Sequence, residues 1–203
     1  MNNINRNNLH DRHLVNTVLS GDTHAFGLIM KNTERLVTQI VFKMISSPGD
    51  RKDIAQDIYL KAYKKLPHFK FQSKLSTWIA QISYNTCLDF LRKKKLILPG
   101  DNNDGNENDD YLLDRINNPS FIPSLATNDL ILQKNISAIL KKEIAKLSPV
   151  YKTLITLYHH EELSYEEIGQ ITRLPDGTIK NYLFRARKKL RDNLLLNYNK
   201  EDL

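Results

Sequence analysis

The chain is expected to be all-α, with two small helical domains joined by a flexible acidic linker. Three observations carry that expectation. Only seven glycines and seven prolines punctuate 203 residues, and alternating β-branched runs are few. Apolar residues recur instead at three- and four-residue spacing, the period of an amphipathic helix. Between residues 99 and 114 the composition changes abruptly: six acidic residues (Asp101, Asp104, Glu107, Asp109, Asp110, Asp114), several Asn and Gly, and no basic residue. Such a segment cannot offset its ordering entropy by burial, which makes it a linker. The domains accordingly span 9–96 and 128–196, with the linker over 97–127.

Bulk composition narrows the function classes. Charged residues at 26% and hydrophobic residues at 40% allow modest cores, and the net charge of +7 favours an anionic partner. Charge alone does not separate nucleic acid from a membrane surface. No apolar run is long enough to span a bilayer, and the N-terminus lacks a signal-peptide core, so a cytoplasmic protein without membrane insertion is expected. Cys87 is the single cysteine, which excludes an intrachain disulfide and a cysteine-based zinc site.

Residues 1–8 are polar and expected to be disordered. Leu14, Val18, Ala25, Phe26, Ile29, Leu36, Ile40 and Met44 then mark two helices, broken at Gly21 and Asp22, with Asp22 as N-cap of the second. Residues 46–50 read as a turn. A third helix is expected from about Arg51 to Leu66, with Ile54, Ile58, Ala62 and Leu66 on one side and Asp53, Gln56, Asp57 and Lys61 exposed. After a loop over 67–74, a fourth helix is expected from about Leu75 to Lys95, through Trp78, Ile79, Ile82, Leu88 and Leu91. The acidic tether of roughly 30 residues reaches about 100 Å when fully extended.

The second domain opens with a helix over about 129–147, carrying Leu132, Ile136, Leu140 and Ile144. Ser148 and Pro149 start the next, as N-cap and first helical residue, with Val150, Leu154 and Leu157 facing inward. Ser164 and Glu167 form a capping box for a short helix bearing Ile168 and Ile171. Pro175, Asp176 and Gly177 are expected to make the turn. From Thr178 a last helix presents Ile179, Leu183, Ala186, Leu190 and Leu194 on one face.

That last helix carries the sharpest functional signal. Asn181, Arg185 and Lys188 point away from the apolar stripe, with Thr178 and Lys180 near them. Six basic residues (Lys180, Arg185, Arg187, Lys188, Lys189, Arg191) and no acidic one lie between 178 and 191. Helix, turn and one-signed outer face fit a helix–turn–helix reading a major groove. A solvated basic face on an ordinary hairpin is the competing reading. The loop at His68, Lys70, Gln72 and Lys74, with Trp78 just beyond, interleaves aromatic and basic residues in a way that suits stacking of unpaired bases. Phe69 and Trp78 fit core positions equally well, and Arg92 to Lys95 could simply complement a helix C-terminus.

Taken in order, these fragments resemble the sigma-70 family, specifically the compact extracytoplasmic-function sigma factors. LSYEEIG at 163–169 and GTIKNYLFRARKKL at 177–190 are similar to the family's region 4. GDTHAF at 21–26, DIAQDIY at 53–59 and TWIAQISYN at 77–85 are similar to its region 2. The resemblance implies a protein that binds core RNA polymerase and confers promoter specificity, without bond-making chemistry, small-molecule substrate, cofactor or metal. It implies polymerase contacts at Asp53, Gln56 and Asp57. It implies capture of melted −10 bases by His68, Lys70, Gln72, Lys74, Trp78, Asn85 and Arg92, and −35 reading by Thr178, Lys180, Asn181, Arg185 and Lys188. An anti-sigma protein is a further partner of the family.

Three departures from the family pattern bear on these contacts. Lys52 stands beside Asp53 where an acid is usual; Tyr182 replaces a frequent Arg, which is expected to change groove contacts; Gly169 replaces Ala and lowers helix propensity. The residues by themselves also admit a two-domain helix–turn–helix regulator that is not a polymerase subunit, or an adaptor docking an acidic protein. An enzyme is disfavoured. His159 and His160 with Glu161 and Glu162 lack the spacing that puts two histidines on one helix face, and His10 and His13 have no third ligand nearby in sequence.

Overall fold

In the computed structural model of the chain, the described residues are 2–97 and 130–198, with side chains from Leu9 to Lys94 and from Ile136 to Tyr198. They form eight α-helices and one 3-10 turn. Nearly all of the expected acidic linker lies outside the described residues.

Helix α1 (Asn2–Leu19) buries Leu14, Val15 and Val18. It begins at Asn2, although residues 2–8 carry no apolar periodicity. Extending a nucleated helix costs far less than starting one, so polar residues continue it backwards from the buried turns. Gly21, at φ 104°, ends the helix region, and Asp22 caps α2 (Thr23–Met44) as expected. Its Oδ1 accepts from the His24 and Ala25 amides at 2.8 and 3.4 Å. Along α2, Ala25, Ile29, Thr33, Val37, Ile40, Val41 and Met44 form one buried stripe.

Helix α3 (Pro48–Lys65) begins three residues before the expected start at Arg51. Ser47 occupies the N-cap and accepts from the Asp50 amide at 3.5 Å, with Pro48 at the first helical position. The segment read as a turn is thus mostly the first turn of the helix, because Pro at that position needs no donor and its φ is already helical. Leu66–His68 makes a 3-10 turn. Helix α4 (Leu75–Ile97) is capped from a distance: the Leu75 amide donates to Asp11 Oδ2 of α1 at 2.9 Å.

The second half comprises α5 (Leu130–Ala145), α6 (Pro149–His159), α7 (Tyr165–Thr172) and α8 (Asp176–Asn197). Ser148 holds the cap position of α6, but its hydroxyl accepts no capping bond and is buried without a partner. Helix α6 buries Val150, Tyr151, Thr153, Leu154, Ile155, Thr156 and Leu157, much more than one stripe. The cause is its place: α2 packs on it from the first half, and α7 and α8 from its own. A helix apolar on most sides is one with neighbours on most sides. Helix α4 in turn packs against α7, so the two helical halves meet along two seams, α2 on α6 and α4 on α7.

Candidate nucleic-acid interface

The short helix α7 and long helix α8 form the expected helix–turn–helix. The capping box is complete: the Glu167 amide donates to Ser164 Oγ at 3.2 Å and the Ser164 amide to Glu167 Oε2 at 3.1 Å. The turn, however, lies earlier than its proline and glycine suggest. Arg173 adopts the left-handed conformation at φ 61° and donates its amide to Gly169 O at 2.8 Å. Pro175 is then the N-cap of α8, and Asp176 and Gly177 belong to its first turn. A carboxylate there complements the positive end of the helix. A Cβ on Gly169 would lie 3.3 Å from Leu174 O, tighter than a comfortable contact. Glycine at this position therefore lets the turn close, beyond any effect on propensity.

Ile179, Leu183, Ala186 and Leu190 are buried along α8 as expected, and Tyr182 joins them. Tyr182 packs edge-on against Tyr151 with ring centres 5.7 Å apart. Its replacement of a frequent Arg therefore changes the core side of the helix rather than the groove-facing side, correcting the expectation. Lys180, Asn181, Arg185 and Lys188 are exposed and Thr178 is half-buried. Phe184 is 65% exposed in the middle of this face, and sequence reasoning passed over it. The signal was present in its angle, which falls between those of Lys180 and Lys188 at 100° per residue.

Aromatic rings steady two of the cations. Tyr158 and Tyr165 stack with centres 5.1 Å apart; Lys180 Nζ sits 5.4 Å from the Tyr165 centre and Arg187 Cζ 5.3 Å from that of Tyr158. Arg187 Nε also donates to His159 Nε2 at 3.2 Å. Burial, helped by the Arg187 charge, lowers the His159 pKa and favours the neutral ring that this bond requires.

The aromatic–basic loop forms the wall of an open cavity of about 450 Å³. His68, Lys70, Gln72 and Trp78 line it, joined by Ser73, Thr77, Gln81 and, from the second half, Gln170. Lys74 stands beside it, where its Nζ meets Glu167 Oε1 at 2.7 Å. Asn85 and Arg92 are not among the lining residues; they lie further along α4, Asn85 half-buried and Arg92 exposed. Phe69 is buried beneath, 4.7 Å from Phe71 and 5.0 Å from Trp78 between ring centres. Trp78 thus serves both core and cavity. Phe71 takes φ 57°, unusual for a bulky residue, and Arg12 covers its ring at 4.7 Å. Such strain persists only where surroundings hold it, and it gathers at ligand sites.

Asp53, Gln56 and Asp57 share the exposed side of α3, beside Lys52. Asp57 Oδ2 pairs with Lys61 Nζ at 2.7 Å, and Lys61 also donates to Thr86 Oγ1 at 3.3 Å. Among the described residues no three His, Cys, Asp or Glu side chains gather as a metal site, and no helix is long and apolar enough to cross a membrane. His10, His13, His159 and His160 are exposed. Burial pushes the Cys87 thiol up to about 12, against a smaller opposing effect of Lys61.

Comparison with known proteins places both halves. The family "Sigma-70 region 2" matches residues 29–97, and "Sigma-70, region 4" matches residues 137–190. The chain is 30% identical over 189 residues to the ECF RNA polymerase sigma factor SigW of Bacillus subtilis, covering 89% of this chain and 94% of SigW. It is 31% identical over 186 residues to the ECF RNA polymerase sigma-E factor of Escherichia coli K12, covering 90% and 93%. Two solved structures share the fold. One is CnrH in complex with the cytosolic domain of CnrY, with TM-score 0.60, 19% identity, and 92% of this chain and 98% of that chain covered. The other is the sigma factor RpoE of Bartonella quintana in complex with the anti-sigma factor NepR, with TM-score 0.58, 23% identity, and 85% and 98% covered.

Proposed function

We propose, on the premise that the chain belongs to the sigma-70 family as an extracytoplasmic-function sigma factor, that it binds core RNA polymerase and directs initiation through two separate DNA-reading surfaces. The observation that carries this reading is their coexistence in one chain: an exposed basic face on α8 and an aromatic-floored polar cavity beside α4. The first suits duplex and the second suits an unpaired strand.

On α8, Asn181 and Arg185 would read base edges of the −35 element, Phe184 would meet a thymine methyl, and Thr178, Lys180 and Lys188 would serve the phosphates. In the cavity, a flipped −10 base would stack on Trp78, with His68, Lys70, Gln72 and Lys74 on its edge or backbone. Unstacking costs a few kcal/mol, which such contacts have to return. Asn85 and Arg92 would meet DNA further along α4. Asp53, Gln56 and Asp57 would form the polymerase contact on the opposite business of the first half, assembly. The functional domains are 9–96 and 128–196, with 97–127 as the tether between the sites. The protein acts in the cytoplasm, makes and breaks no bond itself, and takes an anti-sigma protein as regulator. One fold relative, RpoE of Bartonella quintana, is known in complex with an anti-sigma factor.

The deciding experiment is association with bacterial core polymerase followed by run-off transcription on a promoter library. Stable association and initiation at a shared −35/−10 pair is the expected result. Duplex binding without polymerase association would favour the free-standing regulator instead.

A further inference from the structure

We propose that Asp11 and Arg12, adjacent residues of α1, are positioning residues for the −10 loop. They fix the start of α4 and the course of residues 69–74, and so set where the reading side chains of the cavity stand. The proposal rests on the −10 reading of that cavity. It gives a part in promoter opening to a helix that supplies none of the residues lining the cavity.

The first contact acts on α4. The Leu75 amide, at the first residue of that helix, is one of the donors that a helix start leaves without a partner of its own, and Asp11 Oδ2 accepts from it at 2.9 Å. The carboxylate also faces the positive end of the helix. Thr77, Trp78 and Gln81, all in the first two turns of α4, line the cavity. A shift of the helix start would move the three together.

The second contact acts on the loop. Phe71 holds φ 57°, a conformation that is costly for a bulky residue. The Arg12 guanidinium lies 4.7 Å from its ring centre. The same ring meets Phe69 at 4.7 Å, and Phe69 meets Trp78 at 5.0 Å between centres. A continuous row thus runs from α1 to the indole. Lys70 and Gln72 line the cavity, whereas Phe71 between them packs under Arg12 instead. Were Phe71 freed to relax to negative φ, both neighbours would be re-aimed. Helix α1 also packs on the 3-10 turn Leu66–His68 that leads into the loop. Entry, middle and exit of the loop are therefore tied to one helix.

The test uses the full chain assembled with bacterial core polymerase, on a promoter that the wild type opens. Permanganate reactivity of the −10 thymines reads melting, and substitutions across the −10 element read base preference. The energy that holds a pre-formed geometry becomes a penalty on binding when it is lost. Asp11→Ala is therefore expected to lower melting about fivefold, the worth of a helix cap. Arg12→Ala is expected to lower it about threefold, the worth of an exposed cation–π contact. Both should blunt the preference for the favoured −10 bases, while polymerase association and −35 duplex affinity stay unchanged. Asp11→Asn, which keeps the accepting oxygen, and Arg12→Lys, which keeps a cation over the ring, should recover most of the loss. Glycine adopts positive φ freely and has no ring, so Arg12→Ala should add nothing in a Phe71→Gly background. Circular dichroism checks that helix is retained; should Asp11→Ala lose it, Arg12→Ala, at an exposed site, carries the test.

An equal loss of polymerase association would make the pair structural and overturn the proposal. A salt slope lowered by about 0.7 in Arg12→Ala would make Arg12 a phosphate contact in its own right and overturn its positioning role. Full additivity with Phe71→Gly would overturn that role as well. Trp78→Ala separates this inference from the reading beneath it. If Trp78→Ala abolishes melting while both α1 variants match wild type, the positioning role fails and the cavity reading stands. If Trp78→Ala leaves melting intact, the −10 assignment of the cavity fails, and the positioning role falls with it.

Discussion

Gln81 Nε2 donates to the main-chain oxygen of Gln170 at 2.6 Å, joining helices that lie 89 residues apart in the chain. The acceptor is backbone, so this contact depends on where α7 sits rather than on which side chain stands at 170. It is a direct sign that the two halves meet along α4, and it sits at the cavity that the first half would use to hold a melted strand.

Acid should loosen this seam, but only well below neutrality. Burial pushes the Glu167 carboxyl up, yet the hydrogen bond from Lys74, the bonds from Ser164 and the Lys74 charge outweigh it, and its pKa is held below the ordinary 4.5. A depressed carboxylate contributes stability that is fully present above its unfolded value and is lost as pH falls through the folded one. Compactness by scattering should therefore hold constant from pH 7 to 5 and decline below about 4.5. Glu167→Gln should remove that contribution to the acid transition. An unchanged acid profile in the variant would contradict the assignment.

On the proposed −35 face, two kinds of loss should separate. Arg185→Ala and Phe184→Ala should each cost about 1–3 kcal/mol on particular base pairs, leaving other sequences little affected. Lys188→Ala should weaken all duplexes alike and lower the salt slope by about one. Anisotropy titrations on a panel of duplexes at several salt concentrations distinguish the two patterns.

Asp53→Ala should weaken association with core polymerase several-fold while leaving duplex binding through α8 unchanged. Asp53 is exposed on α3 and belongs to the opposite half from the basic helix. Parallel pull-down and duplex-binding assays read the two outcomes. Equal loss in both assays would contradict the separation of roles.

Cys87 should resist thiol reagents in the folded protein. It is fully buried, and burial pushes its pKa up to about 12. At pH 8 only about one thiol in ten thousand would then be thiolate, the nucleophilic form. Labelling should become fast in denaturant, and its onset should coincide with loss of helical dichroism. Rapid labelling under native conditions would place Cys87 outside the core.

Much of the architecture was legible because the signals are local. Asp22 and the Ser164–Glu167 pair cap helices within three residues of themselves, so spacing alone locates them. The buried stripes of α2, α3 and α8 follow from the helical period, and so does the outward angle of Asn181, Arg185 and Lys188. Ser47 and Pro48 carried the same start signal as Ser148 and Pro149, yet the neighbouring glycine and serines read as a turn. The helix start differs because proline at its first position fits the helical backbone.

The tertiary structure decided whatever depends on partners distant in the chain. Asp11 caps a helix 64 residues away, and Arg173, not Gly177, takes the left-handed turn, its amide closing on Gly169 O where a Cβ at 169 would crowd Leu174 O. Tyr182 turns inward because Tyr151 offers it an aromatic neighbour. Gln81 and Gln170 belong to one cavity only because α7 packs on α4. By itself the sequence determined which residues favour helix, which face each helix would bury, and that one outer face is basic, since these follow from side chains a few positions apart. Only the packing decided which groups meet across the two halves, because a hydrogen bond spanning 89 residues leaves no periodicity to read.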